Sequence, residues 1–438
     1  MSDSSAPEAS DGLTTPDQIL RAAAPAASGD RISSLDFIRG IAVMGILAAN
    51  IIAFGQPMSA YMYPSAFLVE SGDSDGWQWI AQFTLIDGKM RGLFTLLFGA
   101  GMYLFMERAW ARGATRWLQA RRLAFLLLFG LFHFYFIWFG DILSLYALCG
   151  LVVLLCLGWS AKTQLRVGVL GYVVGAVMFG VAMIPLPFIA DTSFGDTAAM
   201  ADMRTGLIEG QADAEIEDAT MAALKSSGDY VGLVQYRFAE HAFDPFFNVM
   251  FFGFESIPLM LIGIALFRMG FFGTGFGRSG MIRWGWIALI VGAALHVAIG
   301  LWARESGFTY YGTLAAFMGF SVLPRLFMVL GMAALLVVYS EAWTGWLAQR
   351  ISAAGRAAFT NYLGTSILML FVFHGWALGL FGELNRPQLY LVTVLTWVVM
   401  LAWSKPWLER FRYGPLEWLW RCLTYGKVFD LTRTAPAK

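Results

Sequence analysis

Charged residues are scarce in this sequence of 438 residues. Lysine, arginine, aspartate and glutamate make up 14% of the chain, and the formal net charge at pH 7 is zero. A soluble domain of ordinary composition carries about 25% charged residues, so the shortage argues against a soluble protein. No basic run interleaved with aromatic residues occurs either, and no nucleic-acid partner is predicted.

Cysteine is scarce as well. Cys149, Cys156 and Cys422 form no even, regularly spaced framework, and the first two fall in one apolar run. We interpret all three as small buried apolar residues rather than as disulfide partners or metal ligands. The sequence also contains no Walker, Rossmann, zinc or haem signature, so no metal site is predicted.

Apolar residues are abundant: they make up 58% of the chain, and the mean hydropathy is +0.62. A transmembrane helix needs about 20 residues to cross a hydrocarbon core about 30 Å thick. The sequence therefore predicts an all-α, polytopic integral membrane bundle of about ten helices with interfacial or re-entrant pieces. The predicted spans are 36–55, 86–106, 119–139, 141–158, 167–189, 248–268, 284–303, 322–343, 354–374 and 389–408.

The composition changes outside these spans. Residues 1–30 predict a disordered N-terminal tail rather than a signal peptide, 31–426 a single transmembrane domain, and 427–438 a C-terminal tail. Lysine and arginine collect in alternate connections, which predicts that both termini are cytoplasmic. The longest connection, at about 191–245, is acidic and then falls outside. Its Ala-rich middle predicts a helical extracytoplasmic cap.

Two apolar regions are too long for one span. A helix over 77–106 would extend about 45 Å, and one over 308–343 more than about 50 Å. In the first region we expect an interfacial piece that ends near Leu85. In the second region we expect the helix to break, with a re-entrant or interfacial piece before the true span. The expected breaks there are Gly312, Gly319 and Pro324.

Polar residues share a depth in the predicted bundle. The outer halves of the helices, or their outer ends, contain Asn50, Asp87, Lys89, Arg91, His133, Asp141, Glu255, His296, Arg325 and His374. Ionisable residues in a membrane usually face the bundle interior or a wet cavity, so the common depth predicts one polar chamber that opens outward. The predicted substrate-binding residues are Asn50, Lys89, Arg91, Glu255, Arg325 and Asn361.

His133 and Asp141 lie in the very apolar stretch 131–148. On an unbroken helix they would be about 12 Å apart, and only a turn at Gly140 would bring them together. In one interpretation His133 is a general base that a carboxylate, Asp141 or Asp87, orients, and these three residues are catalytic. In the other, His133 is a helix-packing hydrogen-bond donor and Asp141 caps the next helix. The spacing of His133 and Asp141 in the sequence does not distinguish these two interpretations.

Asn361 and Tyr362 also admit two interpretations. They are candidates for ligand contacts, but small and polar residues often join transmembrane helices. Nearby, GPLEWLWRCLTYG at 414–426 is interpreted as an interfacial anchor on the cytoplasmic face. No role is assigned to His241.

Seven segments, in order, resemble a known family. They are LDFIRGIAVMGILAANIIAFGQP at 35–57, KMRGLFTLLFGAG at 89–101, His133 with GDILSLYALCG at 140–150, LMLIGIALFRMG at 259–270, Pro324 with Arg325, GRAAFTNYLGTS at 355–366, and GPLEWLWRCLTYG at 414–426. From Ile32 onward the chain resembles the YeiB-like family, domain of unknown function 418. The resemblance implies a multi-pass protein of the bacterial cytoplasmic, or inner, membrane.

That family stands beside membrane-embedded acyltransferases, including the heparan-α-glucosaminide N-acetyltransferase group and the O-acyltransferases of bacterial surface glycans. The resemblance thus implies transfer of an acyl group from cytoplasmic acyl-CoA, as co-substrate, to a glycan, lipid or small-molecule acceptor outside. A homodimer is implied only through the same relatives.

Such a transfer needs a cytoplasmic mouth for a nucleotide polyphosphate, where we expect Arg39 and Arg356 to contact the CoA. A cation in the dry interior would stabilise the oxyanion that develops during transfer. The candidates for that role are Lys89, Arg91 and Arg325.

The sequence departs from the N-acetyltransferase group at one point. That group places its histidine about one loop after a first-helix asparagine. Asn50 fits the asparagine, but IIAFGQPMSAYMYP at 51–64 contains no histidine. His133 would take that role from another helix.

Two other classes of protein remain open. A transporter or flippase of a lipid-linked or amphipathic small molecule suits re-entrant pieces and intramembrane charges equally well, although the sequence has no convincing internal repeat. A structural membrane protein would use the same polar groups to lock its helices. Binding of CoA at the cytoplasmic mouth discriminates the enzyme from both.

Overall fold

The computed structural model describes residues 33–69, 72–273 and 275–433, and the predicted N-terminal tail lies outside these ranges. The described residues are largely helical, with one isolated β-bridge between Phe411 and Thr432. Seven of the described helices are long and apolar enough to cross a membrane, or eight if one bent pair counts as a span. The predicted all-α membrane bundle is confirmed. The number ten and the cytoplasmic side of the termini stay predictions.

The described helices follow in this order. The first part contains α1 (Ser33–Gly55), α2 (Asp75–Leu85), α3 (Lys89–Trp110), α4 (Arg116–Phe132), α5 (Leu143–Leu155), α6 (Ala161–Met183), α7 (Pro185–Asp191), α8 (Ala201–Ser227) and α9 (Tyr230–Glu240). The second contains α10 (Asp244–Arg268), α11 (Arg278–Glu305), α12 (Tyr310–Ala315), α13 (Val322–Ala342), α14 (Trp346–Arg356), α15 (Ala358–Phe373), α16 (Arg386–Arg410) and α17 (Pro415–Tyr425). Two π-helical turns cover His133–Ile137 and Ala316–Phe320.

Helix α10 lies at the centre of the packing and contacts α3, α5 and α6. Glycines let α3 and α10 approach backbone to backbone. A Cβ on Gly99 would lie 2.2 Å from the carbonyl oxygen of Met260, and one on Gly263 would lie 2.0 Å from that of Leu96. Small residues at a crossing allow close van der Waals packing, which holds membrane helices together in place of a hydrophobic driving force.

The predicted breaks fall close to where the sequence put them. Helix α2 ends at Leu85, Gly88 has a φ of +73°, and α3 begins at Lys89. In the second region α12 and a π-helical turn precede α13, which begins at Val322. Pro324 lies inside the first turn of α13, where a missing N–H costs little, and does not itself end a helix.

The predicted span 354–374 is not one straight helix. Its first residues belong to α14, and the chain then bends by 86° into α15. Glu417 of α17 stabilises this bend because its carboxylate accepts hydrogen bonds from the backbone N–H groups of Phe359 (2.8 Å) and Thr360 (3.1 Å). These are unpaired donors at the start of α15, and a carboxylate is a favourable partner for them.

The connection 191–245 forms two helices, α8 and α9, which pack on the ends of the bundle helices. The backbone N–H of Met58 donates to Asp218 at 2.9 Å, and that of Gly375 donates to the carbonyl of Lys225 at 2.9 Å. The Tyr230 hydroxyl donates to the carbonyl of Phe136. We call α8 and α9 the cap. Its extracytoplasmic side stays a prediction.

Candidate functional site

His133 and Asp141 form a hydrogen-bonded pair. Helix α4 runs into the π-helical turn at His133, the chain turns back after Trp138, and Asp141 precedes α5. Nδ1 of His133 lies 2.8 Å from Oδ1 of Asp141, and both side chains are fully buried. The turn near Gly140 thus brings together two residues that an unbroken helix would keep about 12 Å apart.

Asp141 also organises the start of α5. Its Oδ2 accepts hydrogen bonds from the backbone N–H of Ser144 at 2.7 Å and from the Ser144 hydroxyl at 2.6 Å. The two interpretations of Asp141 are therefore compatible in geometry, since one oxygen contacts the histidine and the other satisfies a helix terminus. Gly130 makes room for this turn, because a Cβ there would lie 2.3 Å from the backbone nitrogen of Ser144.

The second ring nitrogen of His133 is available. Nε2 is buried and has no hydrogen-bond partner among the described residues. Because Asp141 is an acceptor, it favours the tautomer with the proton on Nδ1, which leaves Nε2 as a lone-pair acceptor. The ring of Tyr362 lies beside the imidazole, with centroids 5.1 Å apart. The Tyr362 hydroxyl accepts from the backbone N–H of Ile142 at 3.2 Å, and its own proton remains free to donate.

A cavity of about 340 Å³ reaches this region from the far end of α4. We call it the arginine cavity, after the six arginines in its lining. They are Arg39, Arg108, Arg112, Arg122, Arg356 and Arg421. Its inner wall is apolar and aromatic, and includes Phe98, Leu126, Tyr146 and Tyr362. On α4, Arg122 precedes His133 by about 16 Å of helix axis, so the cavity joins cations at one end to the histidine's neighbour at the other.

Two of these arginines have partners of different kinds. Arg39 pairs with Asp36 at 3.2 Å. Arg122 instead lies over the aromatic rings of Phe105 and Trp420, with its guanidinium carbon 4.5 and 4.2 Å from their centroids. Glu417 also lines the cavity, but its oxygens are occupied at the start of α15. The cavity therefore suits an anionic ligand that ends in an apolar group.

A second buried group lies on α3, α10 and α13. Glu255 accepts from Arg91 and, at 2.9 Å, from Arg325, and it also accepts from the Tyr172 hydroxyl at 3.1 Å. Arg325 donates further to the carbonyl of Phe317 at 3.0 Å. Both guanidinium groups are engaged within the protein, which favours a structural use of these charges.

A third group surrounds Asp87, which the sequence offered as an alternative partner of His133. Asp87 accepts instead from Gln82 at 3.1 Å, and Gln82 accepts from Arg386 at 2.7 Å. The Lys89 ammonium donates to the carbonyl of Phe83. Asp87 thus pairs with Gln82 and not with His133. Arg325 of the second group lies close by, since a Cβ on Gly88 would be 2.4 Å from its Nε, and one outward polar chamber stays a prediction.

The remaining predicted residues are less distinctive. Asn361 joins helices: it donates to the carbonyl of Ala354 at 3.0 Å and accepts from the indole N–H of Trp403 at 2.9 Å. Asn50 is half-buried on α1. Arg39 and Arg356, by contrast, both line the arginine cavity, as the expected CoA contacts require.

Sequence reasoning missed several arginines of this cavity. Arg108, Arg112 and Arg122 lie in basic connections that served only to predict the cytoplasmic side. Arg421 belongs to the basic C-terminal segment, which the sequence places at the cytoplasmic mouth with Arg39 and Arg356. The available signal was aromatic residues close to the arginines in the sequence, with Phe105 three residues before Arg108 and Trp420 next to Arg421. Such pairs keep a cation at an apolar surface.

Comparison with known proteins gives relatives over nearly the whole chain. The family model described as "Protein of unknown function (DUF418)" matches residues 266–427. The chain is 31% identical over 405 residues to the "Uncharacterized protein YeiB" of Escherichia coli (strain K12), covering 90% of this chain and 96% of that protein.

It is also 31% identical over 418 residues to the "Uncharacterized protein YxaH" of Bacillus subtilis (strain 168), covering 92% of this chain and 96% of the relative. No solved structure matches the chain. The relatives extend along almost all of both chains. The protein therefore belongs to the YeiB-like DUF418 family of multi-helix membrane proteins.

Proposed function

We propose that the protein is an acyltransferase embedded in the bacterial inner membrane. It takes an acyl group from cytoplasmic acyl-CoA and transfers it to a glycan, lipid or small-molecule acceptor on the other side. One observation carries the proposal: an arginine-lined cavity with an apolar inner wall ends at Tyr362, whose ring lies against a buried histidine with a free Nε2.

The donor fits this cavity by its chemistry. The phosphates of CoA carry several negative charges, which guanidinium groups bind through paired N–H donors. The pantetheine arm and acyl chain are less polar and extend along Phe98 and Leu126 toward Tyr362. Arg39, Arg122 and Arg356 hold the phosphates in this arrangement.

The reaction proceeds at Nε2 of His133. An acceptor hydroxyl or amine gives its proton to Nε2 as its oxygen or nitrogen attacks the thioester carbonyl, and a tetrahedral oxyanion forms. The C–S bond then breaks, the electron pair leaves with sulfur, and the proton on Nε2 passes to the CoA thiolate. Asp141 stabilises the transient imidazolium through Nδ1 and keeps the ring oriented.

The Tyr362 hydroxyl is the proposed donor to the oxyanion. It lines the cavity and keeps a free proton, whereas Arg91 and Arg325 are bound to Glu255. Lys89 is engaged with the carbonyl of Phe83. A hydrogen-bond donor positioned at a developing oxyanion commonly contributes 10²–10³-fold to the rate, on the order of 3–4 kcal/mol.

The test uses the purified full-length protein in nanodiscs. Binding of CoA and acetyl-CoA is measured by calorimetry, and release of the free thiol is followed with a chromogenic disulfide. We expect micromolar binding, and His133→Ala should keep that binding while thiol release falls about 100-fold or more. Tyr362→Phe should lower the release without changing CoA affinity.

The matched control is His241→Ala. His241 lies in the connection after the cap and pairs with Asp244 through Nδ1 at 2.9 Å, so it presents a similar pair away from the cavity. It should behave as the wild type. Absence of CoA binding by folded wild-type protein, or unchanged thiol release in His133→Ala, would contradict the proposal.

Transport of an amphipathic or lipid-linked molecule is the second candidate. The observation that favours it is the buried charge group of Arg91, Glu255 and Arg325, because ionisable residues inside a membrane protein often mark a substrate path. A transporter would move its substrate into vesicles with no acyl donor present, and Glu255→Gln would reduce that movement.

A further inference from the structure

Two small adjoining cavities lie between the cap and the bundle. One has a volume of about 20 Å³ and the other about 10 Å³, and each has room for about one water molecule. Both are lined by Trp138, Lys225 and Arg237. His374 also lines the smaller one. We call the two together the cap cavity.

Arg237 enters the cap cavity with its charge uncompensated. The residue is 1% exposed, and its Nη1 donates only to backbone carbonyls, those of Tyr135 at 3.1 Å and Phe134 at 3.5 Å. Its Nε has no hydrogen-bond partner, and it forms no ion pair with a carboxylate in the part of the chain that the structure describes. A buried guanidinium without an anion is costly, since its desolvation is not repaid.

Lys225 adds a second cation to the same space. The residue is 7% exposed, and its ammonium lies over the ring of Phe381 at 4.5 Å from the centroid. The acidic neighbour Asp218 is occupied, because its oxygens accept from the backbone N–H groups of Met58 and Ser59. Glu217 faces His241, at 3.4 Å.

His374 completes the set of polar groups. It is 5% exposed, and its Nδ1 is buried without a hydrogen-bond partner among the described residues. Two buried cations and one orphaned ring nitrogen thus converge on a space walled by Trp138 and Phe54. Glu217 and Asp218 also line the larger cavity, but both contact other groups. An oxyanion supplies the negative charge that Arg237 lacks among the described residues, and lone pairs for the N–H groups of all three side chains.

The cap cavity also adjoins the proposed reaction centre. The indole of Trp138 lies against the imidazole of His133, with ring centroids 6.2 Å apart. Trp138 therefore contacts the histidine and also lines the cap cavity. A ligand whose anionic group is held under the cap is within one side chain of Nε2.

We propose that the cap cavity binds an oxyanionic group, a carboxylate or a phosphate, of the acyl acceptor through Lys225 and Arg237. That the bound molecule is the acyl acceptor rests on the proposed function, whereas the binding of an anion in the cap cavity does not. The small volume admits the anionic head in place of water, and the rest of the acceptor passes outward beside Met58 and Glu217. The acceptor is thus an acidic glycan, an acidic small molecule or an anionic lipid, and not a neutral sugar.

The pKa of Lys225 is consistent with a site that gains an anion. Burial, and next the neighbouring Arg237, lower the pKa of Lys225 to about 7, while Asp218 acts in the opposite direction. An oxyanion beside the ammonium favours its charged form and raises this pKa.

The test measures anion binding to the full-length protein in nanodiscs with no acyl donor. Sodium acetate and inorganic phosphate are titrated by calorimetry against chloride as background. The titration is repeated in neutral lipid and in lipid that contains phosphatidylglycerol, because occupation by a lipid headgroup would compete with the free anions. Wild-type protein should bind at least one of the two anions in neutral lipid or show competition from the anionic lipid.

Lys225→Gln should weaken that binding about tenfold or more, as expected for the loss of a charged hydrogen-bond donor. Lys225→Arg should retain most of it. Arg237→Gln is less informative alone, because Arg237 also ties the cap to the carbonyls after His133. Lys162→Gln, at an exposed lysine outside the cap, is the matched control and should change nothing.

Anion binding that is absent in the wild type, or equal in wild type and Lys225→Gln, would overturn the inference. The two proposals fail separately. Anion binding without CoA binding would refute the acyltransferase and keep the anion site, and CoA-dependent thiol release without anion binding would do the reverse.

Discussion

Asp141 divides its two carboxylate oxygens between two tasks. Oδ1 contacts the imidazole of His133 and Oδ2 accepts from the backbone N–H and hydroxyl of Ser144. The first contact sets the tautomer of the histidine, and the second satisfies the start of α5. The two tasks can be separated by substitution, because an amide keeps one acceptor and alanine keeps none.

We predict that Asp141→Asn lowers thiol release about 100-fold with little change in stability. The amide oxygen continues to accept from Ser144, while the NH₂ group then faces Nδ1 and moves the imidazole proton to Nε2. Asp141→Ala should lower activity equally and also cost about 1–2 kcal/mol of unfolding free energy, as for a lost helix cap.

Both variants are measured in the same nanodiscs by thiol release and by thermal unfolding. Asp244→Asn, in the half-buried pair with His241, is the control and should keep wild-type activity. Wild-type release in Asp141→Asn would show that the orientation of His133 does not matter to the reaction.

Lys225 predicts a pH dependence of stability. In the folded protein burial lowers its pKa to about 7, and in the unfolded chain the pKa is about 10.4. Between these values the unfolded state holds a proton that the folded state has released, so stability rises as the pH rises from about 7 to 10. Lys225→Gln removes this contribution and should flatten the rise.

The measurement is the thermal unfolding midpoint in detergent between about pH 7 and pH 9. Parallel curves for the wild type and Lys225→Gln would mean that Lys225 stays charged in the folded protein. Added acetate or phosphate should shift the wild-type rise to higher pH, because a bound anion raises the pKa of Lys225.

At the scale of the elements, the crossing of α3 and α10 sets the position of the central helices. Gly99 faces the Met260 carbonyl there, with only 2.2 Å available for a Cβ. Gly180 on α6 is a matched glycine in a helix, and a Cβ on it would meet nothing within 4 Å. Substitution of alanine for glycine therefore adds a methyl group against a neighbouring backbone at Gly99 and into open space at Gly180.

We predict that Gly99→Ala lowers the free energy of unfolding by about 1–3 kcal/mol, because the new methyl group must push two backbones apart. Gly180→Ala should change it by less than about 1 kcal/mol, with a gain from the better helix former. Unfolding in mixed micelles gives both values. Equal effects would show that the α3–α10 crossing relaxes freely.

Hydropathy was sufficient to locate most of the helices. The segments that predicted spans contain helices in the structure, and the turn after Leu85 was expected because one helix over 77–106 is too long. The bend between α14 and α15 was not expected. It depends on Glu417, a residue more than 50 positions away along the chain, whose contact with Thr360 leaves no local pattern.

At the scale of the whole molecule, the sequence predicted how deep a polar residue lies in the bundle, but not the direction in which its side chain points around the helix. Asp87, Asp141 and Glu255 lie in outer parts of their predicted spans, which suggested one chamber. The structure turns them toward different partners, namely Gln82, His133 and Arg325. Direction around a helix depends on which neighbour it faces, and hydropathy does not contain that information.

The basic residues of the cap illustrate the same limit. Lys225 and Arg237 lie in an acidic connection, where single cations are usually solvated. They are buried because α8 and α9 fold back over Trp138. The positions of His133 and Asp141 were predictable as a candidate pair, since the glycine between them permits a turn.

The molecule has two proposed binding regions, one lined by Tyr362 and the other by Trp138, and both of these rings contact the imidazole of His133. Arg122 belongs to the arginine cavity and Lys225 to the cap cavity. We predict that Arg122→Ala weakens CoA binding about tenfold and leaves anion binding unchanged, and that Lys225→Gln does the opposite. The double variant should show both losses, each of the same size as in the single variant.

Calorimetry on the four proteins, wild type included, measures this independence. A strong departure from additivity in the double variant would show that occupation of one region changes the other. Arg283→Ala, at an arginine that stacks on Trp284 outside both cavities, is the control for loss of an arginine.

The contribution of α17 to the arginine cavity has a consequence for biosynthesis. Trp420, Arg421 and Tyr425 close a cavity whose other walls come from α1, α3, α4, α5, α14 and α15. The ribosome makes those helices first, and chains usually fold from the N-terminal end as they emerge. A nascent chain that has inserted everything up to Arg410 therefore still has an open arginine cavity. Under the proposed function, a chain that ends before Tyr425 should neither bind acyl-CoA nor release its thiol, even when its other helices are in the membrane.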